Sequence, residues 1–110
     1  MNPLKSNDLK WIGIDFDDVI AGNSGYPDYV LGEPLSGSKE ALEQIRDNGW
    51  KAIIYTARPW SQYIVVEDYL NTHQIPFKAI VCGKVLLRWM IDDKNIEFHG
   101  DWKETLSKIK

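Results

Sequence analysis

Trp11-Ile12-Gly13-Ile14-Asp15-Phe16-Asp17-Asp18-Val19-Ile20 runs an apolar stretch straight into three carboxylates and turns apolar again at once. That pattern is a buried strand ending at a reactive site. Ionised carboxylates taken out of water are costly unless a cation or strong hydrogen bonds compensate them. A bound Mg²⁺ would supply that compensation. An acidic surface turn after a strand is the other reading of this segment alone, so the rest of the chain decides between them.

A second acidic pair stands in Arg88-Trp89-Met90-Ile91-Asp92-Asp93-Lys94, again directly after a short apolar run. Between the two lie Ile53-Ile54-Tyr55-Thr56-Ala57-Arg58, a β-branched run ending in a hydroxyl, and Val81-Cys82-Gly83-Lys84, which offers a lysine beside a glycine. Ligands of an open α/β sheet sit outside the carboxyl ends of its strands, so groups at several strand ends converge on one crevice although distant in sequence. Two acidic strand ends therefore predict one shared metal site.

Carboxylates, hydroxyl, lysine and acidic pair, in that order, resemble the haloacid-dehalogenase-like (HAD) superfamily of phosphohydrolases. Asp15-Phe16-Asp17-Asp18-Val19 matches its Asp-x-Asp motif, Thr56 its Ser/Thr, Lys84 its Lys and Asp92-Asp93 its acidic pair. The resemblance covers about residues 10 to 100. Where many relatives read Asp-Gly-Thr, this chain has Asp18 and Val19. The ending Ile91-Asp92-Asp93-Lys94-Asn95-Ile96 through Gly100-Asp101-Trp102 is similar to small capless members from bacteria and phages. The implied fold is an α/β three-layer α/β/α sandwich with a central parallel sheet, Rossmann-like, without a cap domain. Residues 1–110 then form one hydrolase domain.

Hydrophobic spacing is consistent with alternating strands and helices, which argue for a parallel sheet. Strands are predicted at Lys10 to Asp15, Lys51 to Tyr55, Ala79 to Val81 and Trp89 to Ile91. Helices are predicted from Ser38 to Asn48 through Ala41, Leu42 and Ile45, from Ser61 to His73, and from Trp102 to Ile109. In the second, Ile64, Val65, Tyr69 and Leu70 are the residues expected to face the sheet. Ala21 to Gly37 reads as a long irregular segment, the place where the resemblance puts a flap over the active site.

The resemblance implies a role for each motif. Asp15 would be the nucleophile that forms an aspartyl-phosphate, and Asp17 the acid/base that protonates the leaving group and then activates water. Thr56, the backbone at Ala57, Arg58 and Lys84 would bind the phosphoryl group, with Lys84 also neutralising charge. Mg²⁺ would be held by Asp15, Asp17 (through its backbone carbonyl), Asp92 and Asp93. The substrate the resemblance implies is a phosphorylated small molecule or an exposed phosphoryl group of a larger substrate.

Each residue also has a plainer reading. Thr56 is an ordinary cap residue, Lys84 a solvated loop lysine, Arg58 half of a structural ion pair, and Asp18 a flap contact or a solvated side chain. Cys82 reads as a small buried hydrophobe. His73 and His99 lack metal-ligand spacing. The five tryptophans read as boundary packing, with Trp60 and Tyr26 placed to stack on a substrate. Two other functions compete with a phosphatase: a metal-dependent nuclease using the acidic cluster to activate water, and a catalytically silent phosphate-binding domain.

Composition narrows the classes. The 110 residues are 44% hydrophobic and 26% charged, as in a globular domain. The net charge of −3, without a Lys/Arg cluster, omits the electrostatic footprint of a nucleic-acid binder. No run approaches the roughly 20 apolar residues of a membrane span, and the single cysteine and the absence of an apolar leader make cytoplasm the expected compartment. A homo-oligomer that covers the open site is compatible with this reading.

Overall fold

A computed structural model of the chain describes residues 10–23 and 31–110. The elements run β1 (Trp11–Ile14), β2 (Ala21–Asn23), β3 (Leu31–Pro34), α1 (Ser38–Asp47), β4 (Lys51–Tyr55), α2 (Tyr63–Thr72), β5 (Ala79–Val81) and α3 (Trp102–Ser107), with a 3₁₀ turn at Trp60–Gln62 leading into α2. The protein is α/β. Its parallel sheet has the order β1-β4-β5, and β2 and β3 form a separate antiparallel pair.

Parallel register places Ile14, Ile54 and Ile80 in one row across the sheet, and all three are buried. Alternation along β4 adds Ala52 to this face. Two helices cover the core, α1 through Ala41, Leu42 and Ile45, and α2 through Val66, Tyr69 and Leu70. Phe16, directly beyond β1, is fully buried and meets the Tyr69 ring edge-on at 5.4 Å. Truncating a side chain such as Leu42 to alanine in a core like this costs about 2–5 kcal/mol.

Several expectations need correcting. In α2, Ile64 and Val65 are exposed and Val66 takes the buried position, because three consecutive β-branched or apolar residues fit two overlapping helical faces and the sheet selects one. The helix itself begins later than Ser61 because Pro59 starts a 3₁₀ turn first. Residues 89–91 are not a strand: no described strand pairs with them, and all three side chains are exposed. The segment 21–37 is not irregular throughout, since β2 and β3 pair within it. Among the tryptophans only Trp102 is buried, whereas Trp11, Trp60 and Trp89 are exposed. Tyr26 lies outside the described residues.

The β2–β3 pair is fastened at two places. Leu35 N–H donates to the Ile20 carbonyl at 2.8 Å, closing its base, and the Tyr69 hydroxyl donates to the Gly32 carbonyl at 2.7 Å, joining β3 to α2. Gly22 is required by close approach, since a Cβ there would stand 2.8 Å from the Glu33 carbonyl oxygen. Among the described residues no helix is long and apolar enough to cross a membrane.

Candidate functional site

At the carboxyl end of β1 the chain turns immediately. The Phe16 carbonyl accepts hydrogen bonds from Ile20 N–H at 2.9 Å and Ala21 N–H at 3.0 Å, and Asp18 sits in the turn at a positive φ of 61°. This turn presents Asp15 and Asp17 on either side of the buried Phe16. Asp15 Oδ1 accepts from Phe16 N–H at 2.8 Å and lies 3.2 Å from Lys84 Nζ. Asp17 is held by Arg58 through two parallel hydrogen bonds, Nε to Oδ2 at 2.9 Å and Nη2 to Oδ1 at 2.7 Å. Such forked charge-assisted contacts are the strong class of hydrogen bond, about 1.5–3 kcal/mol each.

The cations are fixed by the loops after β4 and β5. Thr56, fully buried, donates its N–H to the Val81 carbonyl, and its hydroxyl accepts from Arg58 N–H at 3.1 Å in a local turn. Two further backbone bonds zip the loops together: Lys84 N–H to the Thr56 carbonyl at 2.9 Å, and Gly83 N–H to the Arg58 carbonyl at 2.8 Å. Gly83 has a φ of 80° and passes close to the Trp60 indole, which explains a glycine there. Lys84 therefore reaches Asp15 from a braced position, with its ammonium 5.5 Å from the centre of the Tyr55 ring.

Asp15, Asp17, Thr56, Ala57, Arg58 and Lys84 thus gather beyond one end of the parallel sheet. The local bond to Arg58 N–H gives Thr56 the part of a turn-forming residue, and Arg58 takes the ion-pair option that its sequence left open. Gln62, at the end of the 3₁₀ turn that follows Arg58, joins the site as well; its Oε1 accepts from Arg58 Nη1 at 3.2 Å. No sequence rule points to it, because Arg58 lies outside the helical turn that carries Gln62.

The acidic pair is less well gathered. Asp92 lines the same groove as Asp15 and Lys84, and its Oδ1 accepts from Lys94 N–H at 2.9 Å. Asp93 is exposed, 3.8 Å from Lys94 Nζ. Among the described residues no group of three or more His, Cys, Asp and Glu side chains is placed to hold a metal ion, so the four carboxylates do not form a cage here. What is present is a pair, Asp15 and Asp92, on one groove; one or two carboxylates plus substrate oxygens and water are what Mg²⁺ usually takes.

Away from this site, burial pushes the Cys82 thiol above its ordinary value, which suits a core residue rather than a nucleophile. His99 lies on the surface between Glu104 and Glu97, and hydrogen bonds to those carboxylates raise its pKa.

No protein-family model and no curated protein matches the chain. In fold it is similar to the crystal structure of an MCSG target from Vibrio cholerae, with a TM-score of 0.67 and 19% sequence identity over 91% of this chain and 98% of that one. A likeness at that identity speaks for the α/β fold alone.

Proposed function

We propose that the chain is a phosphoric monoester hydrolase of HAD type, one capless domain with a Rossmann-like α/β/α core, working through an aspartyl-phosphate on Asp15. The observation that carries this reading is the contact between Asp15 Oδ1 and Lys84 Nζ at 3.2 Å, at the strand end from which Asp17 follows two residues on. It unites a nucleophile, a cation that offsets the phosphate's charge and an acid/base at one strand end.

In the first step an oxygen of Asp15 attacks phosphorus and the bond to the leaving oxygen breaks, that oxygen taking a proton from Asp17. Among the described residues both contacts of Asp15 fall on Oδ1, so Oδ2 is the attacking atom. In the second step water attacks the phosphoryl group, Asp17 takes the water's proton, and the Asp15–phosphorus linkage opens to release inorganic phosphate. Lys84 stays with the phosphoryl oxygens throughout. Asp17 can exchange a proton only with one oxygen released from the Arg58 fork, and an incoming phosphoryl dianion competes for that guanidinium. Asp15 and Asp92, which line one groove, would be the residues to hold Mg²⁺, and the ion would add charge neutralisation there.

A second reading, a silent phosphate-binding domain, is favoured by one observation: both oxygens of Asp17 are engaged by Arg58. A panel of phosphorylated metabolites, assayed for Mg²⁺-dependent phosphate release, separates the two. The hydrolase reading expects turnover that Asp15→Asn abolishes. It also expects Asp17→Asn, given an activated ester, to accumulate a phosphorylated Asp15. Phosphate binding without turnover on any compound would favour the silent domain, and turnover that persists in Asp15→Asn would point to direct attack by water, as in a metal-dependent nuclease.

A further inference from the structure

We infer that Trp102 is a positioning residue for the turn at 16–21, holding Asp17 in place for proton transfer by gripping the Val19 carbonyl; this rests on the hydrolase reading. Trp102 opens α3 and is buried. Its Nε1–H donates to the Val19 carbonyl at 2.9 Å, across 83 positions of sequence. Val19 stands two residues after Asp17, so the bond reaches the main chain of the turn that presents this carboxylate.

Bonds within the turn set its shape but not its place. Asp18 N–H donates to the Ala21 carbonyl at 2.8 Å, and the Phe16 carbonyl gathers the N–H groups of Ile20 and Ala21. Place comes from bonds to other elements: the Arg58 fork on Asp17, Leu35 N–H on the Ile20 carbonyl, and the Trp102 indole on the Val19 carbonyl. The Arg58 anchor ends on the reacting carboxylate itself. In the proposed mechanism Asp17 frees an oxygen from Arg58 to exchange a proton, so that anchor loosens in the step where the turn must hold still. Trp102 grips main chain, and the proton transfer leaves its bond intact.

A buried indole N–H needs an acceptor, which taken alone would make this bond a matter of stability. What ties it to the site is the bracing behind it. The Trp102 Cβ stands 3.6 Å from the point that a Cβ on Gly37 would occupy, at the start of α1. Its ring meets Phe98 at 5.1 Å. Asp101 caps α3, its Oδ1 accepting from Lys103 N–H at 2.9 Å and Glu104 N–H at 3.3 Å. The indole therefore fixes the turn to α1 and α3 together. Displacing a reacting group by about 1 Å can cost on the order of 100-fold in rate.

Trp102→Phe, which keeps a ring in the core and loses the N–H, tests this. Benzothienylalanine at position 102, close to tryptophan in shape and without the N–H, serves should the phenylalanine variant fail to fold. With p-nitrophenyl phosphate the expected result is a kcat lower by about tenfold and a KM within about twofold of wild type. Hydrogen exchange is expected to quicken at the amides of Asp18, Ile20 and Ala21. Ile45→Val, a mild core truncation in α1, should leave kcat unchanged. Wild-type kcat in the Trp102 variant overturns the proposal, whatever the exchange shows. A fall in kcat without faster exchange, or one matched by Ile45→Val, equally overturns it. A wild type with no turnover of p-nitrophenyl phosphate or of any metabolite in the panel refutes the hydrolase reading itself, and this inference falls with it.

Discussion

Arg58 and Asp17, 41 positions apart in sequence, are joined by a two-point fork whose bonds are 2.9 and 2.7 Å long. Arg58 is buried and Asp17 partly so. The guanidinium also lies 5.8 Å from the centre of the Phe16 ring and bonds Gln62. The pair links the turn after β1 to the loop after β4, so it braces the two loops that carry Asp15 and Thr56.

A double-mutant cycle measures that brace. Arg58→Ala should cost about 3 kcal/mol, because it leaves a partly buried carboxylate without its partner. Asp17→Asn should cost less, and the double variant should fall short of the sum by about 1.5–3 kcal/mol. Arg58→Lys keeps the charge but loses the fork, and should fall between wild type and Arg58→Ala. Urea unfolding supplies the free energies; costs that add to within about 0.5 kcal/mol would show the two residues to be independent.

Much of the framework was legible because it follows from local pattern. Lys51–Tyr55 and Ala79–Val81 alternate or run apolar between clear breaks, and α1 shows Ala41, Leu42 and Ile45 at helical spacing. What failed depended on partners outside the segment. Trp89–Ile91 has a strand's composition, but a strand exists only where another strand pairs with it. Ile64-Val65-Val66 fits two helical phases, and only docking on the sheet separates them. The site was legible as a set of residue types, not as contacts: no local rule distinguishes an Arg58 that grips Asp17 from one that waits for substrate.

Gly83 should accept a side chain only at a cost. Its φ of 80° is strained for any L-residue, by roughly 1–2 kcal/mol, and a Cβ would lie 3.4 Å from Trp60 Nε1. Gly83→Ala should lower stability by about that amount and shift the Trp60 fluorescence. Lys84 follows directly, so phosphate release, where the hydrolase reading applies, should drop as well. An alanine variant with wild-type unfolding and unchanged emission would mean that the loop relaxes to a different backbone.

Tyr69 links stability to alkaline pH. Burial, with the Glu33 charge adding to it, pushes its phenol up to about 12. The folded chain therefore keeps the proton after the unfolded chain, with a pKa near 10, has lost it. The resulting stability is present in full below pH 10 and is lost as pH rises from about 10 to 12. Tyr69→Phe removes the hydroxyl bond to the Gly32 carbonyl, at a cost of about 1 kcal/mol, and should flatten the decline over that window. Melting temperatures of both proteins across the window decide it; equal slopes would exclude Tyr69 as the titrating group.

Asp18 provides the sharpest test of the turn after β1. Its φ of 61° is a conformation in which a Cβ costs about 1–2 kcal/mol, though aspartate and asparagine adopt it more readily than other side chains. Glycine removes the strain but costs roughly 0.5–1 kcal/mol in lost freedom of the unfolded chain. The two effects oppose, so Asp18→Gly should change stability by no more than about 1 kcal/mol, and its sign reports which is larger. Asp18→Val has no such compensation: the β-branched side chain keeps the full strain and should destabilise by about 1–2 kcal/mol or more. Since the Asp18 N–H bonds the Ala21 carbonyl at 2.8 Å, loosening the turn should also expose amides around Phe16 to hydrogen exchange in the valine variant and not in the glycine one. Equal exchange and equal unfolding in the two variants would show that the turn does not need its left-handed residue.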